Sequence, residues 1–238
     1  MVDETEILEK IKSRGFWEIE IRPTVYKKDH LSLLECHEMI EKCQVRLRGW
    51  YYPHIAHHEY GDVFNGDNFV EGLVDSLKHL EVWRMYQSGQ FIHYLNFWED
   101  WIEYHPYGHI DDNAGQTANN VKSILMTLYT VTEIFTFASR LASNNVFDNM
   151  LRISIKLKNA NNRLLMFEDS FRALYADYRS RMNDMSIIRD ITVEDILANS
   201  ANIAMGVTVE IFNKFNWLSK DIEIAIKGDQ EKFLKGLI

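Results

Sequence analysis

Between Phe16 and Arg22 the chain alternates without a break. Trp17, Ile19 and Ile21 fall on one side, and Glu18, Glu20 and Arg22 on the other. A period of two is that of a half-buried strand, and Pro23, which cannot donate to a ladder, stops it. A second strict alternation sets Leu151, Ile153, Ile155 and Leu157 against Arg152, Ser154, Lys156 and Lys158. A turn over residues 159–162 and a return strand over 163–167 are expected after it. Residues 44–50 read as another strand, with Val45, Leu47 and Gly49 opposite Arg46, Arg48 and Trp50.

Elsewhere the period lengthens to that of a helix. Ile7, Leu8 and Ile11 share one face of residues 3–14, with Gly15 just past the end. Ser32 and Glu35 form a Ser-x-x-Glu capping box that opens a helix running to Cys43. The longest stripe is Val121, Ile124, Leu125, Leu128, Val131, Thr132, Phe135 and Ala138, ending near Ala142. Helices are expected over 169–182, 192–216 and 219–237, with Thr192 and Asn216 at ends.

Residues 62–97 fit two patterns. Asn65-Gly66 is a turn signal. Val70, Leu73, Leu77, Leu80 and Trp83 keep a helical period, yet Leu80, Val82, Arg84 and Tyr86 also alternate as a strand. Periodicity alone does not separate helix from strand over 71–86. The turn-like Gln87-Ser88-Gly89-Gln90, followed by Phe91 to Leu95, favours a hairpin over 80–97. Residues 104–116, with Pro106, Gly108 and Gly115, read as a loop. Clustered strands without regular βαβ alternation predict an α+β fold: a mainly antiparallel sheet, a long central helix and a helical C-terminal part. One domain over 1–238 is expected, with a soft subdivision near 112–118.

Charge changes the picture because it is unevenly spread. The net charge is −9, and residues 51–115 hold eleven acids against two bases, Lys78 and Arg84. Seven of the nine histidines and fourteen of the thirty aromatic residues fall in the same third. Such a segment repels phosphate, which disfavours nucleic acid as a partner. Cys36 and Cys43, seven residues apart on a helix, lie roughly 10 Å apart by helical rise. That is too far for a bridge, so both are expected as free thiols. The acidic N-terminus does not read as a secretory signal, and no apolar run approaches the ~20 residues of a membrane span. Cytoplasm, no membrane, and a protein partner or small ligand are the expectations, with a homo-oligomer allowed.

Three constellations carry candidate chemistry. His54, His57 and His58 with Asp62 could supply imidazoles and a carboxylate to a divalent metal, and His105 and His109 with Asp111 and Asp112 form a second set. Neither matches an HExxH or Cys-x-x-Cys pattern, and exposed or core-satisfied histidines explain the same residues. In the hairpin, a two-residue Ser88-Gly89 turn would set Arg84 opposite His93, Tyr86 opposite Phe91 and Val82 opposite Leu95. Arg84, Tyr86, Gln90 and His93 are therefore candidates for a ligand or partner, against the simpler reading that Arg84 pairs with a nearby acid. Arg46, Arg48 and Trp50 share one face of the expected strand, with Arg22 on a neighbour. They could hold a phosphate, a carboxylate or an acidic segment, or merely neutralise the acidic third. No Gly-x-Ser-x-Gly elbow, Gly-x-Gly-x-x-Gly or P-loop occurs.

Several phrases taken together resemble an uncharacterised bacterial family. They are Gly15-Phe16-Trp17 through Ile21-Arg22-Pro23-Thr24; Val45-Arg46-Leu47-Arg48-Gly49-Trp50 with Pro53-His54; Trp83 through Tyr86-Gln87-Ser88-Gly89-Gln90-Phe91; and Leu128-Tyr129 through Thr132-Glu133-Ile134-Phe135. Proteins of that family can be fused to AlbA-type (Schlafen-like) DNA-binding domains. The resemblance implies a regulatory or defence-linked accessory module and transfers no catalytic residue. The expected function is a regulatory, partner- or ligand-binding protein, with a metal-dependent hydrolase built on residues 54–62 as the alternative.

Overall fold

The computed structural model describes residues 3–55, 61–76, 78–101, 120–169 and 171–238. The elements run α1 (Glu4–Lys12), β1 (Phe16–Pro23), α2 (Leu33–Cys43), β2 (Gly61–Asn65), β3 (Phe69–Ser76), β4 (His79–Tyr86), β5 (Phe91–Asn96), a 3₁₀ turn (Trp98–Trp101) and β6 (Val121–Ser123). Then come α3 (Ile124–Ser143), β7 (Met150–Lys158), β8 (Leu164–Met166), β9 (Met185–Thr192), α4 (Val193–Lys214) and α5 (Ile222–Leu234). Seven strands form one sheet in the order β2-β3-β4-β5-β1-β7-β9. Every pairing in it is antiparallel. The fold is α+β, as the pattern predicts. Among the described residues no helix is long and apolar enough to cross a membrane.

The alternation in β1 decides what covers each face. Trp17, Ile19 and Ile21 are buried in one large core with Cys36 and Ile40 of α2, Leu128 and Phe135 of α3, and Val207 and Ile211 of α4. Phe16 points to the other face, where Ile7 and Ile11 of α1 close a smaller cluster over Leu73, Leu80 and Val82. Burial of each such aliphatic side chain contributes about 1.5–3 kcal/mol, so α1 is held by packing more than by propensity. The helix starts are capped as the sequence suggests. Ser32 and Glu35 make both bonds of the capping box, and the Thr192 side chain accepts from Asp195 N–H. Cys36 and Cys43 are free and buried, and burial pushes both thiols up to about 11.

Residues 71–86 are strand, not helix, and pair as β3 and β4. The hairpin over β4 and β5 exists, but its register differs from the one expected. Gly89 has φ +82°, its N–H donates to Tyr86 O at 2.9 Å, and Tyr86 N–H donates to Gln90 O at 2.8 Å. The loop is therefore the three residues Gln87-Ser88-Gly89, ending on a left-handed glycine. One extra loop residue shifts the register by one and moves side chains to opposite faces. Arg84 lies opposite Ile92, Tyr86 is level with Gln90, and His93 lies opposite Trp83.

Other expectations need correction. Residues 44–50 are not a strand; only Val45 bridges, to Tyr52, because the arginines between leave for partners elsewhere. Residues 163–167 do not return along β7, which is already paired on both sides by β1 and β9; β8 pairs with β6, in parallel. No helix forms over the described part of 169–182, where the Asp169 carboxylate accepts from Phe171 and Arg172 N–H and closes a local turn instead. The strand β9 was not anticipated. The 112–118 subdivision lies outside the described residues.

Candidate functional site

The chemistry gathers where the start of β4 meets α3. In β4, His79, Glu81 and Trp83 share a face by strand alternation, and the register brings His93 of β5 against Trp83. Glu81 is buried and collects three donors. His54 N–H donates to its Oε1 at 2.6 Å, and its Oε2 lies 2.8 Å from His79 Nε2 and 3.2 Å from His93 Nε2. His93 Nδ1 lies 3.2 Å from the Tyr52 hydroxyl, which makes a chain Tyr52–His93–Glu81–His79. Burial opposes ionisation of Glu81, yet the charges of and hydrogen bonds from His79 and His93 hold its carboxyl at about 2. Burial pulls the His79 imidazole below its ordinary value, against the pull of Glu81. Burial also pushes the Tyr52 phenol well up.

The loop over residues 44–53 forms a second wall. The Val45–Tyr52 bridge closes it with bonds of 2.7 and 2.9 Å, and Gln44 Nε2 donates to Pro53 O at 2.9 Å. Its arginine Arg48 makes a forked pair with Glu133 of α3, Nε to Oε1 at 2.9 Å and Nη2 to Oε2 at 2.5 Å. Glu133 is the one acid of α3 and is fully buried, with 0% of its side chain exposed. Burial pushes its carboxyl up to about 7, against the opposing charge of Arg48. On the same loop, Trp50 stacks on the His54 ring at 4.2 Å and 27°, and meets His79 at 4.5 Å.

The third wall comes from the 3₁₀ turn and β6. Lys122 is buried, and its Nζ donates to Glu99 at 3.0 and 3.3 Å. Glu99 also accepts from Ser123 N–H at 2.7 Å. The ammonium sits 5.0 Å from the Trp17 ring and 4.1 Å from Phe97, so aromatic faces replace water around it. Burial lowers its pKa, against the charge of Glu99. Behind it Arg163 forks onto Asp100, whose Oδ2 also accepts from Gly15 N–H, fixing the turn between α1 and β1.

These walls enclose a cavity of about 460 Å³, lined by Arg48, Trp50, Tyr52, His79, Glu81, Glu99, Lys122 and Thr130 among others. Its volume falls in the ~300–1,000 Å³ range of small-molecule sites. It combines aromatic surface with several buried, perturbed ionisable groups, which is the usual mark of a functional cleft.

The structure divides the sequence-predicted residues. Arg48, Trp50, His54 and His93 come together at this cavity and its floor. Arg22 does not: it stands on the other face of β1, 3.5 Å from Glu20. Arg46 turns out over the Tyr51 ring at 4.9 Å. Arg84 lies under α1, pairing Nε with Glu71 at 2.5 Å and Nη2 with Glu4. Tyr86 packs on Phe69, and Gln90 Nε2 donates to Glu20 at 2.6 Å. The expected pairing of Arg84 with His93 is thus overturned by the hairpin register. Of the proposed metal ligands, Asp62 is exposed on β2, and His57, His58, His105, His109, Asp111 and Asp112 lie outside the described residues. Among the described residues no group of three or more His, Cys, Asp or Glu is placed to hold a metal ion.

Sequence reasoning missed His79, Glu81, Tyr52, Glu99, Lys122 and Glu133. Two signals were present: His-x-Glu places both side chains on one face of a strand, and a lone acid within an apolar stripe demands a buried cation. A comparison with protein-family models, curated proteins and solved structures finds no match for this chain.

Proposed function

We propose that this protein is a ligand-binding module and that the cavity between the 44–53 loop, the start of β4 and the N-terminal half of α3 is where it binds a small molecule. The observation that carries this reading is the wall itself. Burying Glu81, Glu99 and Lys122 around an open volume, with Glu133 behind Arg48, is costly unless every group is paired or hydrogen-bonded, and all four are. A core without a ligand to recognise would be more stable filled with apolar side chains. The regulatory or defence-linked role implied by the family resemblance would make the bound molecule a signal rather than a substrate. A thermal-denaturation screen of fractionated, deproteinised extract from the source cells tests this. The expected result is a fraction that raises the midpoint of the wild type and not of Ser76→Trp, whose indole would plug the mouth. An equal rise in both would place binding elsewhere.

A second reading, hydrolysis, is favoured by one observation. Glu81 orients His79 on the cavity wall, and the lowered pKa keeps that imidazole neutral and able to accept a proton near neutrality. Turnover of ester or phosphoester probes that is lost in His79→Gln, with ligand affinity retained, would establish it.

A further inference from the structure

Resting on the reading of this cavity as a ligand site, we propose that its occupant is an organic oxyanion, a carboxylate or phosphate carried on a planar aromatic body. The carboxylates and the asparagine amide of the wall are already engaged. Glu81 receives His54 N–H and faces two imidazole nitrogens, and Glu99 receives Lys122 and Ser123 N–H. Asn96, also on the wall, accepts from Leu80 N–H at Oδ1 and donates Nδ2 to Lys78 O. A cationic or donor-rich ligand would find these oxygens occupied.

The donors are not all used. Arg48 gives Nε and Nη2 to Glu133, while its Nη1 meets only the Met126 thioether at 3.4 Å, a weak acceptor. The indole N–H of Trp50 is buried and has no hydrogen-bond acceptor. A native site seldom leaves such a donor unmatched. Both belong to the same short loop and both line the cavity. An oxyanion set against this loop would take the free edge of the guanidinium, and a small turn of the Trp50 ring would bring its N–H, now shielded, onto the same anion. The charge balance agrees. Of the lysine, arginine and glutamate side chains on the wall, Arg48, Lys78 and Lys122 are cationic, and Glu81 and Glu99 anionic; Glu133 stands behind Arg48 and is not part of the lining. The body of the ligand is set by the remaining surface, in which Trp17, Tyr51, Tyr52 and Trp98 supply flat apolar faces.

Calorimetric titration of the full chain with four probes tests the class: indole acetate, adenosine monophosphate, tryptamine and indole. The expected result is that indole acetate or adenosine monophosphate binds at least about tenfold more tightly than tryptamine and indole. Whichever anion wins identifies the group as carboxylate or phosphate. Trp50→Phe, which keeps a ring and removes the N–H, should weaken the anion about fivefold. Arg48→Gln risks unfolding the chain, so Glu133→Gln is the deciding variant. Titrated at pH 9, where wild-type Glu133 is ionised, it keeps the volume, frees Arg48 from its counter-charge and should tighten the anion severalfold. Unchanged or weaker anion binding in folded Glu133→Gln overturns the proposal. So does tryptamine or indole binding as tightly as the anions, which would leave the cavity reading intact. If no probe binds while an extract fraction still stabilises the wild type but not Ser76→Trp, only the oxyanion class falls; if nothing binds by either route, both readings fall.

Discussion

Replacing Arg48 with methionine keeps a stem of similar length and removes the guanidinium from a fully buried carboxylate. The cost depends on pH in a way the structure fixes. In the wild type Glu133 titrates at about 7, far above its ordinary value, because burial outweighs the help from Arg48. Below that pH Glu133 is protonated in both proteins. The variant then loses the hydrogen bonds of the fork, about 1–3 kcal/mol. At pH 9, two units above its folded value, ionisation lowers the free energy of native wild type by about 3 kcal/mol. Without Arg48 the carboxyl stays protonated and gains none of this. The unfolded chains ionise alike, so the destabilisation grows by about 3 kcal/mol between about pH 6 and pH 9. Urea unfolding of both proteins at the two pH values measures it. The double variant Arg48→Met/Glu133→Leu should recover most of the loss, because an apolar pair needs no counter-charge. A cost that does not change with pH, or a double variant no better than the single, refutes the reasoning.

Glu81→Gln should cost about 1–3 kcal/mol at neutral pH, from weakening the hydrogen bonds that His54 N–H, His79 and His93 make to a buried carboxylate. The sign follows: stability from Glu81 is complete above 4.5 and lost as pH falls towards 2, so the variant should show a flatter acid limb in denaturation. Arg84→Ala, on the opposite face of β4, should leave ligand affinity unchanged while lowering the melting temperature, since it strands Glu71 and Glu4. Thiol titration of the folded protein should find neither Cys36 nor Cys43 reactive until denaturant is added, because burial holds both at about 11. Elemental analysis of chelator-free protein should find no stoichiometric metal. A bound equivalent that disappears in His54→Ala/His58→Ala would instead support the hydrolase built on residues 54–62.

Local periodicity carried much of the fold. Trp17, Ile19 and Ile21, and Leu151 to Leu157, alternate because each strand has one face in the core, and a period of two reads directly as that. The Ser32–Glu35 box and Thr192 were visible because helix caps are local hydrogen bonds. What failed was non-local. Arg46, Arg48 and Trp50 alternate like a strand, yet a strand needs a neighbour, and the loop is instead drawn to Glu133, eighty-five residues away along the chain. The hairpin register turned on a single residue, Gly89 at positive φ, and with it the face on which His93 stands. The strand β9 was hidden because Ile188 sits on the outer face, blurring an alternation of Met185, Ile187 and Ile191.

The site was legible only in fragments. Arg48, Trp50, His54 and His93 were singled out for their residue types, but their partners Glu81, Glu99, Lys122 and Glu133 come from β4, the 3₁₀ turn, β6 and α3. The acidic third turned out to matter through two of its carboxylates, Glu81 and Glu99, each neutralised locally. Two cations of the cavity wall, Arg48 and Lys122, came from outside that third.

The central claim is that the cavity holds a small organic molecule. Its most direct test is a native mass spectrum of the protein purified without chelator from its own cells, wild type beside Ser76→Trp. The account predicts a non-covalent organic adduct on the wild type that is missing from the variant. A bare mass for both, or the same adduct on both, would contradict it.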